Sequence, residues 1–428
     1  MIPLADFRRS AFAPLAALAF LGSPALAAPP VAIVGATLHT MGPAGEIRNG
    51  VIVIQDGMIR AVGPSAAVPA GATRIDAAGK VITPGLFDSL SRIGLVEVNQ
   101  VDATVDAGSE SDRITAALSV ADALNPASSL IAVNRIEGLT HALVAPEVGE
   151  TVIAGQAAVI RLAGADLVLR SPAAMFAVLG ETGAEKAGGS RAAAILLLRE
   201  ALADARDWSE HRADWEKGAR RSYALSRLDL EALLPVARGE LPLIVQAHRA
   251  SDLLAALRLA KEEKLKLILA GANEGWQVAK EIAAADVAVL INPLDDLPGS
   301  FEALGATLEN AARLKAAGVR VAFATFDAHN ARNLRQAAGN AVANGLTWND
   351  ALAAMTIEPA KIWGLADRLG SLEPGKEANL VIWDGDPLEV TSFPEKVFLH
   401  GAEIPMTSRQ IELRDRYRAL PLDPAPRP

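Results

Sequence analysis

Polar side chains that could do chemistry follow three apolar segments of the sequence. They are His248 after LPLIVQA, Asn273 and Glu274 after LKLILA, and Asp327 and His329 after VRVAFATF. Imidazole and carboxylate groups can bind a divalent metal or move a proton. The chain contains no cysteine. Thiolate ligands, thiol nucleophiles and disulfides are therefore excluded together.

The apolar segments that precede these residues have the character of strands buried on both faces. LPLIVQA, LKLILA, VAVLINP and VRVAFATF lack polar alternation, and a helical pattern follows each of them. Consecutive βα units of this kind predict a parallel sheet. A closed barrel and an open doubly wound sheet both satisfy the pattern. No Gly-rich dinucleotide fingerprint opens any of the helices, which disfavours a Rossmann domain.

Both ends of the chain have a different, β-rich pattern. Short β-branched runs separated by Gly, Asp and Pro occupy 29–82, where Gln55-Asp56-Gly57 predicts a tight hairpin turn. Similar runs return at 368–408. Because the two β-rich ends bracket the βα region, we expect them to form one split domain. Residues 409–428 predict a helical turn and a loose tail.

The N-terminus has the pattern of an export signal. Arg8 and Arg9 precede a short apolar run, and Ala25-Leu26-Ala27 forms a small-x-small cleavage site. We therefore predict a signal peptide at 1–28, a periplasmic or secreted protein, and no stable membrane anchor after cleavage. Sec and twin-arginine export both remain open. The formal net charge of −9 argues against a nucleic-acid partner.

Two segments resemble the amidohydrolase superfamily, in its exported, imidazolonepropionase-like branch. KVITPGLFD at 80–88 is similar to the family's entry into the first barrel strand. ALAAMTIEPAKIWGLADRLGSLEPGKEANLVIWD at 351–384 is similar to its exit from the barrel. The resemblance implies an α/β fold with a (β/α)8 TIM-like barrel at 83–367 and a small β-sandwich built from both chain ends. It also implies metal-assisted hydrolysis of carbon–nitrogen bonds other than peptide bonds.

The first barrel strand departs from the family's His-x-His motif. Leu90 and Arg92 occupy the two histidine positions. Leucine cannot bind a metal, and a guanidinium there would repel one. Arg92 either takes the place of the metal charge and binds an anionic substrate group, or pairs with a buried carboxylate of the protein. A two-metal centre is not expected in either case.

The resemblance assigns the remaining site residues. His248 has the position of the ligand on the fifth strand, Asp327 that of the ligand and general base on the eighth, and Glu181 that of an additional carboxylate ligand. Asn273 and His329 are expected beside the substrate. Such a site predicts one divalent metal, zinc before others, or none at all. Asp327 as a helix cap and Glu274 as a first-turn helix residue are the structural alternatives.

These observations lead to competing functional hypotheses. The first is an exported hydrolase for a small molecule, with at most one metal held mainly by His248 and Asp327. The second is a catalytically inactive protein of the same fold that binds a small ligand or a partner at the barrel mouth, and the third is a scaffold that uses the outer helices. A homo-oligomer is compatible with each. A fold alone is a weak argument for function, so the choice among these hypotheses depends on the side chains at the strand ends.

Overall fold

The computed structural model describes residues 29–219 and 221–418. The predicted signal peptide at 1–28 and the last residues of the predicted tail, 419–428, lie outside the described residues. The strands are β1 (Val31–His39), β2 (Glu46–Gln55), β3 (Met58–Gly63), β4 (Thr73–Asp76), β5 (Val81–Pro84), β6 (Leu86–Ser91), β7 (Leu139–Val144), β8 (Ile153–Arg161), β9 (Val168–Val178), β10 (Leu243–Ala247), β11 (Leu267–Gly271), β12 (Ala288–Ile291), β13 (Val321–Phe323), β14 (Leu380–Trp383), β15 (Pro394–Leu399) and β16 (Ala402–Glu403).

Most of the helices lie between the strands of the central region. The α-helices are α1 (Ser129–Arg135), α2 (Gly180–Lys186), α3 (Arg191–Glu210), α4 (Arg212–Glu216), α5 (Arg227–Ala237), α6 (Ala250–Glu263), α7 (Ala279–Ala284), α8 (Asn310–Ala316), α9 (Leu334–Ala343), α10 (Trp348–Ala354), α11 (Ile357–Ile362) and α12 (Arg409–Arg418). Short 3-10 helices occupy Asp102–Thr104, Val120–Ala123, Gly275–Val278 and Ala331–Asn333. Within the described ranges, no helix is both long and apolar enough to cross a membrane.

One eight-stranded sheet contains strands from both ends of the chain. Its order is β16-β15-β14-β5-β1-β2-β3, with β4 paired to β1. The two ends meet where β14 runs antiparallel to β5, with Leu380 opposite Pro84. The predicted hairpin is confirmed at Asp56 and Gly57, because both have positive φ, as a two-residue turn between twisted strands requires.

The second eight-stranded sheet curves into a nearly closed barrel. Its order is β13-β12-β11-β10-β9-β8-β7-β6. The four apolar runs form β10 to β13, which are parallel as predicted. The seam between β6 and β13 is bridged beyond the end of β13, where Phe326 N–H donates to the Leu90 carbonyl at 2.9 Å and Arg92 N–H to the Asp327 carbonyl at 3.3 Å.

The barrel differs from a regular (β/α)8 repeat at β8. This strand is antiparallel to both β7 and β9. The connection from Val144 to Ile153 is shorter than the dozen or so residues that a parallel crossover requires, so the chain reverses directly. The result is a mixed α/β barrel with one reversed strand.

Helix boundaries differ from the sequence prediction in two places that matter for the site. Ser251 and Asp252 predict a cap for the helix that follows LPLIVQA, but the cap residue of α6 is Arg249, and Asp252 lies in the first turn. The helical pattern after VAVLINP predicts a helix from about Phe301, but α8 begins only at Asn310. The residues between β12 and α8 therefore form a long loop at the carboxyl end of the barrel. Thr347, with Asp350 at the third helical position, also predicts a helix cap, and it does cap α10.

Candidate active site

His248 lies directly after β10, at the carboxyl end of the barrel strands. Its Nδ1 is 3.0 Å from Asn273 Oδ1, and its Nε2 is 3.4 Å from the Gln246 amide nitrogen. An amide oxygen can only accept and an amide nitrogen can only donate. The neutral imidazole therefore carries its proton on Nδ1, where it donates to Asn273, and keeps a lone pair on Nε2.

Asn273 owes its position to an abrupt turn at the end of β11. Gly271 and Ala272 both have positive φ, which redirects the chain immediately after the strand. The Asn273 side chain is only 8% exposed. Its oxygen is the acceptor that fixes the tautomer of His248. The sequence predicted Asn273 beside the substrate but not this contact with His248.

A cavity of about 300 Å³ opens beside His248 and Asn273. The loop between β12 and α8 supplies the remaining lining residues, which are Leu294, Asp295, Asp296, Leu297, Gly299, Ser300, Glu302 and Ala303. Burial raises the pKa of Asp295; the nearby His248 opposes this shift and Asp296 adds to it. The carboxylates of Asp295 and Asp296 were not predicted from the sequence, because they lie in a loop between the apolar run VAVLINP and the helix expected from about Phe301.

Asp88 is the buried carboxylate at the barrel seam. It lies on β6 and is fully buried, and this burial raises its pKa to about 7 against the opposing hydrogen bonds. Asp88 accepts hydrogen bonds from the backbone N–H of Leu90 at 3.2 Å, from that of Thr325 at 3.0 Å, and from the Thr325 hydroxyl. It therefore fastens β6 to the segment after β13.

Asp327 uses its carboxylate within its own turn. Oδ1 accepts from the N–H of His329 at 2.8 Å, and Oδ2 accepts from the Asn330 amide at 3.0 Å. Burial would raise its pKa, but the hydrogen bonds from Asn330, His329 and Ala328 outweigh it, and the pKa of Asp327 is lowered. This geometry matches the structural alternative, a carboxylate that satisfies the N–H groups before the next helix.

Glu181 and His329 are also engaged by the protein. Glu181 lies in the first turn of α2, with its carboxylate 3.6 Å from Arg191, and its N–H donates to Glu302 at 2.6 Å. His329 places Nε2 at 2.9 Å from the Glu97 carbonyl. Glu274, similarly, accepts from the N–H groups of Ala250 and Gly305 at 3.0 Å each, which makes it a structural residue.

The two residues at the family's histidine positions have different surroundings. Leu90 is 2% exposed and belongs to the apolar interior of the barrel, with Phe87 and Phe176. Arg92 pairs with Glu147 at 2.9 Å and donates to the Phe326 carbonyl at 3.0 Å. Arg92 thus binds a carboxylate of the protein, as the second interpretation predicted, although Glu147 is 43% exposed rather than buried.

These donors do not fit a metal ion. Glu181, His248 and Asp327 do not come together, and residues 29–219 and 221–418 contain no group of three or more His, Cys, Asp or Glu side chains that could hold one. The carboxylate oxygens of Asp327 are moreover engaged by the N–H of His329 and the amide of Asn330. The predicted single-metal site on these three residues is therefore not formed in this arrangement.

Comparisons with known proteins agree with the fold. The Amidohydrolase family model matches residues 251–406. An imidazolonepropionase of Maricaulis maris is 29% identical over 83% of this chain and 92% of its own length. Amidohydrolase tasK of Hapsidospora irregularis is 25% identical over 82% of this chain, which spans about two fifths (39%) of that relative.

A solved structure is similar over nearly the whole chain. An amidohydrolase from Thermotoga maritima has a TM-score of 0.79 and 26% identity, over 89% of this chain and all of that one. Members of the family typically use divalent metals, which contrasts with the donor set around His248. Residues 251–406 match the Amidohydrolase family model, and the chain is similar to imidazolonepropionases over most of its length, which supports a hydrolase that acts on carbon–nitrogen bonds other than peptide bonds.

Proposed function

We propose that this protein is an exported hydrolase that cleaves a non-peptide carbon–nitrogen bond of a small molecule in the cavity beside His248. In this proposal His248 is a general base rather than a metal ligand. The observation that carries it is the hydrogen bond between His248 Nδ1 and Asn273 Oδ1, 3.0 Å long, at the edge of a cavity. It leaves Nε2 as the basic atom, as proton transfer from water requires.

The reaction uses groups of this chain alone. Nε2 of His248 takes a proton from a water molecule, and the water oxygen forms a bond to the amide carbonyl carbon. Nδ2 of Asn273 donates to the oxygen of the tetrahedral intermediate. The carbon–nitrogen bond breaks as the imidazolium returns its proton to the leaving nitrogen, which yields a carboxylic acid and an amine.

The similarity to imidazolonepropionases suggests a cyclic amide as the first substrate class to examine. The compact cavity of about 300 Å³ suits a small molecule. We further propose a periplasmic or secreted location, a composite β-sandwich at 29–82 and 368–408, a barrel domain at 83–367 and a tail at 409–428. A homo-oligomer is compatible with this arrangement.

The test is hydrolysis of a panel of cyclic and linear amides that includes an imidazolone. We expect at least one to be hydrolysed, and His248→Gln to lower kcat/KM by roughly 100- to 10,000-fold, the range for a positioned general base. His400→Gln is the matched control, because this histidine is half exposed and lies far along the chain in the turn after β15. Equal activity of His248→Gln and wild-type protein would overturn the proposal.

A second candidate is an inactive member of the family that binds a small ligand at the barrel mouth. Leu90 and Arg92 at the histidine positions favour it. Here the wild-type protein would bind a member of the panel without hydrolysing it. No turnover across the panel, together with saturable binding of one of its members, would select this candidate over the first.

A further inference from the structure

The cavity beside His248 is lined by negative charge alone. Asp295, Asp296 and Glu302 contribute carboxylates, and no lysine or arginine of the described chain lines the cavity. Within the described ranges neither Asp295 nor Asp296 takes part in an ion pair; Asp295 accepts a hydrogen bond from Asn292 at 2.9 Å. Glu302 is buried, and its nearest cation, Arg191, is 3.9 Å away.

A hydrogen-bond donor at the same cavity has no acceptor from the described part of the protein. The side chain of Asn273 is more than nine-tenths buried, and its oxygen faces His248. Its amide nitrogen has no hydrogen-bond acceptor among the described residues. Asn273 lines the cavity, so a ligand that carries an acceptor there, such as a carbonyl oxygen, can take this hydrogen bond.

The rim of the cavity is apolar. Leu294 and Leu297 line it and are 40% and 77% exposed, and Phe301 on the same loop is 83% exposed. Side chains of this size are more often buried, so a concentration of them on one loop beside a cavity marks a contact surface. A ligand with an apolar group would cover part of it.

We infer that the cavity takes a cationic amide: a molecule with an ammonium or guanidinium group for Asp295 and Asp296, an amide carbonyl for Asn273, and an apolar portion for the rim. This inference rests on the proposed function for the hydrolysis step, but not for the preference in binding. Two carboxylates without a cation partner repel each other and attract a positive ligand. An anionic amide would add to the repulsion and be excluded.

The experiment compares three ligands of similar shape and different charge. They are the Nα-acetyl amides of arginine, citrulline and glutamate, with charges of about +1, 0 and −1 at neutral pH. Binding is measured by calorimetry with His248→Gln protein, in which turnover is blocked, and hydrolysis is measured with the wild-type protein. We expect the arginine compound to bind roughly tenfold or more tightly than the citrulline compound, and the glutamate compound not to bind.

Variants of the loop connect the preference to the two carboxylates. Asp295→Asn combined with Asp296→Asn should bring the arginine and citrulline compounds to equal affinity. Glu281→Gln, an exposed residue of α7 outside the cavity, should leave the preference unchanged. Should the double variant fold poorly, the salt dependence of wild-type binding gives the same information, because screening weakens only the charged ligand's binding.

The outcomes separate this inference from the proposed function. Equal binding of the arginine and citrulline compounds, or tighter binding of the glutamate compound, overturns the inference while leaving hydrolysis of a neutral amide by His248 intact. Selective binding of the arginine compound without hydrolysis of any amide supports the ligand class and overturns the proposed reaction. Selective binding that survives the double substitution overturns the role of Asp295 and Asp296.

Discussion

Gly271 lies against the imidazole ring of His248 so closely that any side chain would collide with it. A Cβ atom at position 271 would be 2.5 Å from Cε1 of His248 and 2.8 Å from Nδ1. Gly271 also has a φ of +81°, which side chains rarely adopt. The position of the imidazole therefore depends on a glycine at the end of the neighbouring strand.

Replacement of this glycine should damage the site more than the fold. We predict that Gly271→Ala lowers kcat/KM on the most active amide by about tenfold or more, because the ring must leave its bond to Asn273 and small misplacements are costly. Gly63→Ala is the matched control, since a Cβ there meets nothing within 4 Å. If Gly271→Ala is as stable as the wild-type protein and its kinetics are unchanged, the placement of His248 is contradicted.

Asn273 should set the pH at which the enzyme becomes active. A carboxylate in place of the amide stabilises the imidazolium, so Asn273→Asp should move the acidic limb of the kcat/KM profile to higher pH. Asn273→Ala should lower kcat without that displacement, because the tautomer is no longer fixed. A pH profile that is the same in Asn273→Asp as in wild type would exclude the proposed pairing.

Asp88 should make the protein less stable as the pH rises through the acidic range. Burial raises its pKa to about 7, well above that of an unfolded aspartate, so the native state binds the extra proton between about pH 4 and 7. Its contribution to the free energy of unfolding falls over this window. The stability of Asp88→Asn relative to wild-type protein, measured by denaturant unfolding, should therefore increase from pH 4 to 7. A stability difference between the two proteins that stays constant over this range would refute the raised pKa of Asp88.

His141 should act in the opposite direction. It is buried in β7 beside Thr140, and burial lowers its pKa to about 4, so the unfolded chain binds more protons between about pH 4 and 6.5. Stability should rise over this window, by roughly 3 kcal/mol for a shift of this size. His141→Leu should flatten the rise. If the stability of His141→Leu rises as steeply with pH as that of the wild-type protein, groups other than His141 cause the rise.

The parallel strands could be predicted from sequence because burial on both faces leaves no polar alternation. The same logic could not find the reversed direction of β8, since a buried strand has the same composition in either direction. Only the short connection from Val144 to Ile153 carries that information. The pairing of the two chain ends was expected from their β-rich patterns, and β5 and β14 do pair.

The candidate site could be predicted only in part. His248 was identified because it follows an apolar strand, and its position at the strand end is fixed locally. Asp295 and Asp296 were missed, because the path of a long loop depends on contacts distant in sequence. Asp327 was assigned a chemical role that its own turn does not favour, since the N–H groups of nearby residues engage its oxygens.

Whether His248 accepts protons or binds a metal can be measured directly. Mass spectrometry gives the metal content per chain of wild-type protein purified without chelator, compared with His248→Ala. We predict no near-stoichiometric metal that depends on His248, because no group of three or more ligands surrounds it in the described parts of the chain. Near-stoichiometric zinc, manganese or iron that disappears in His248→Ala would contradict the account.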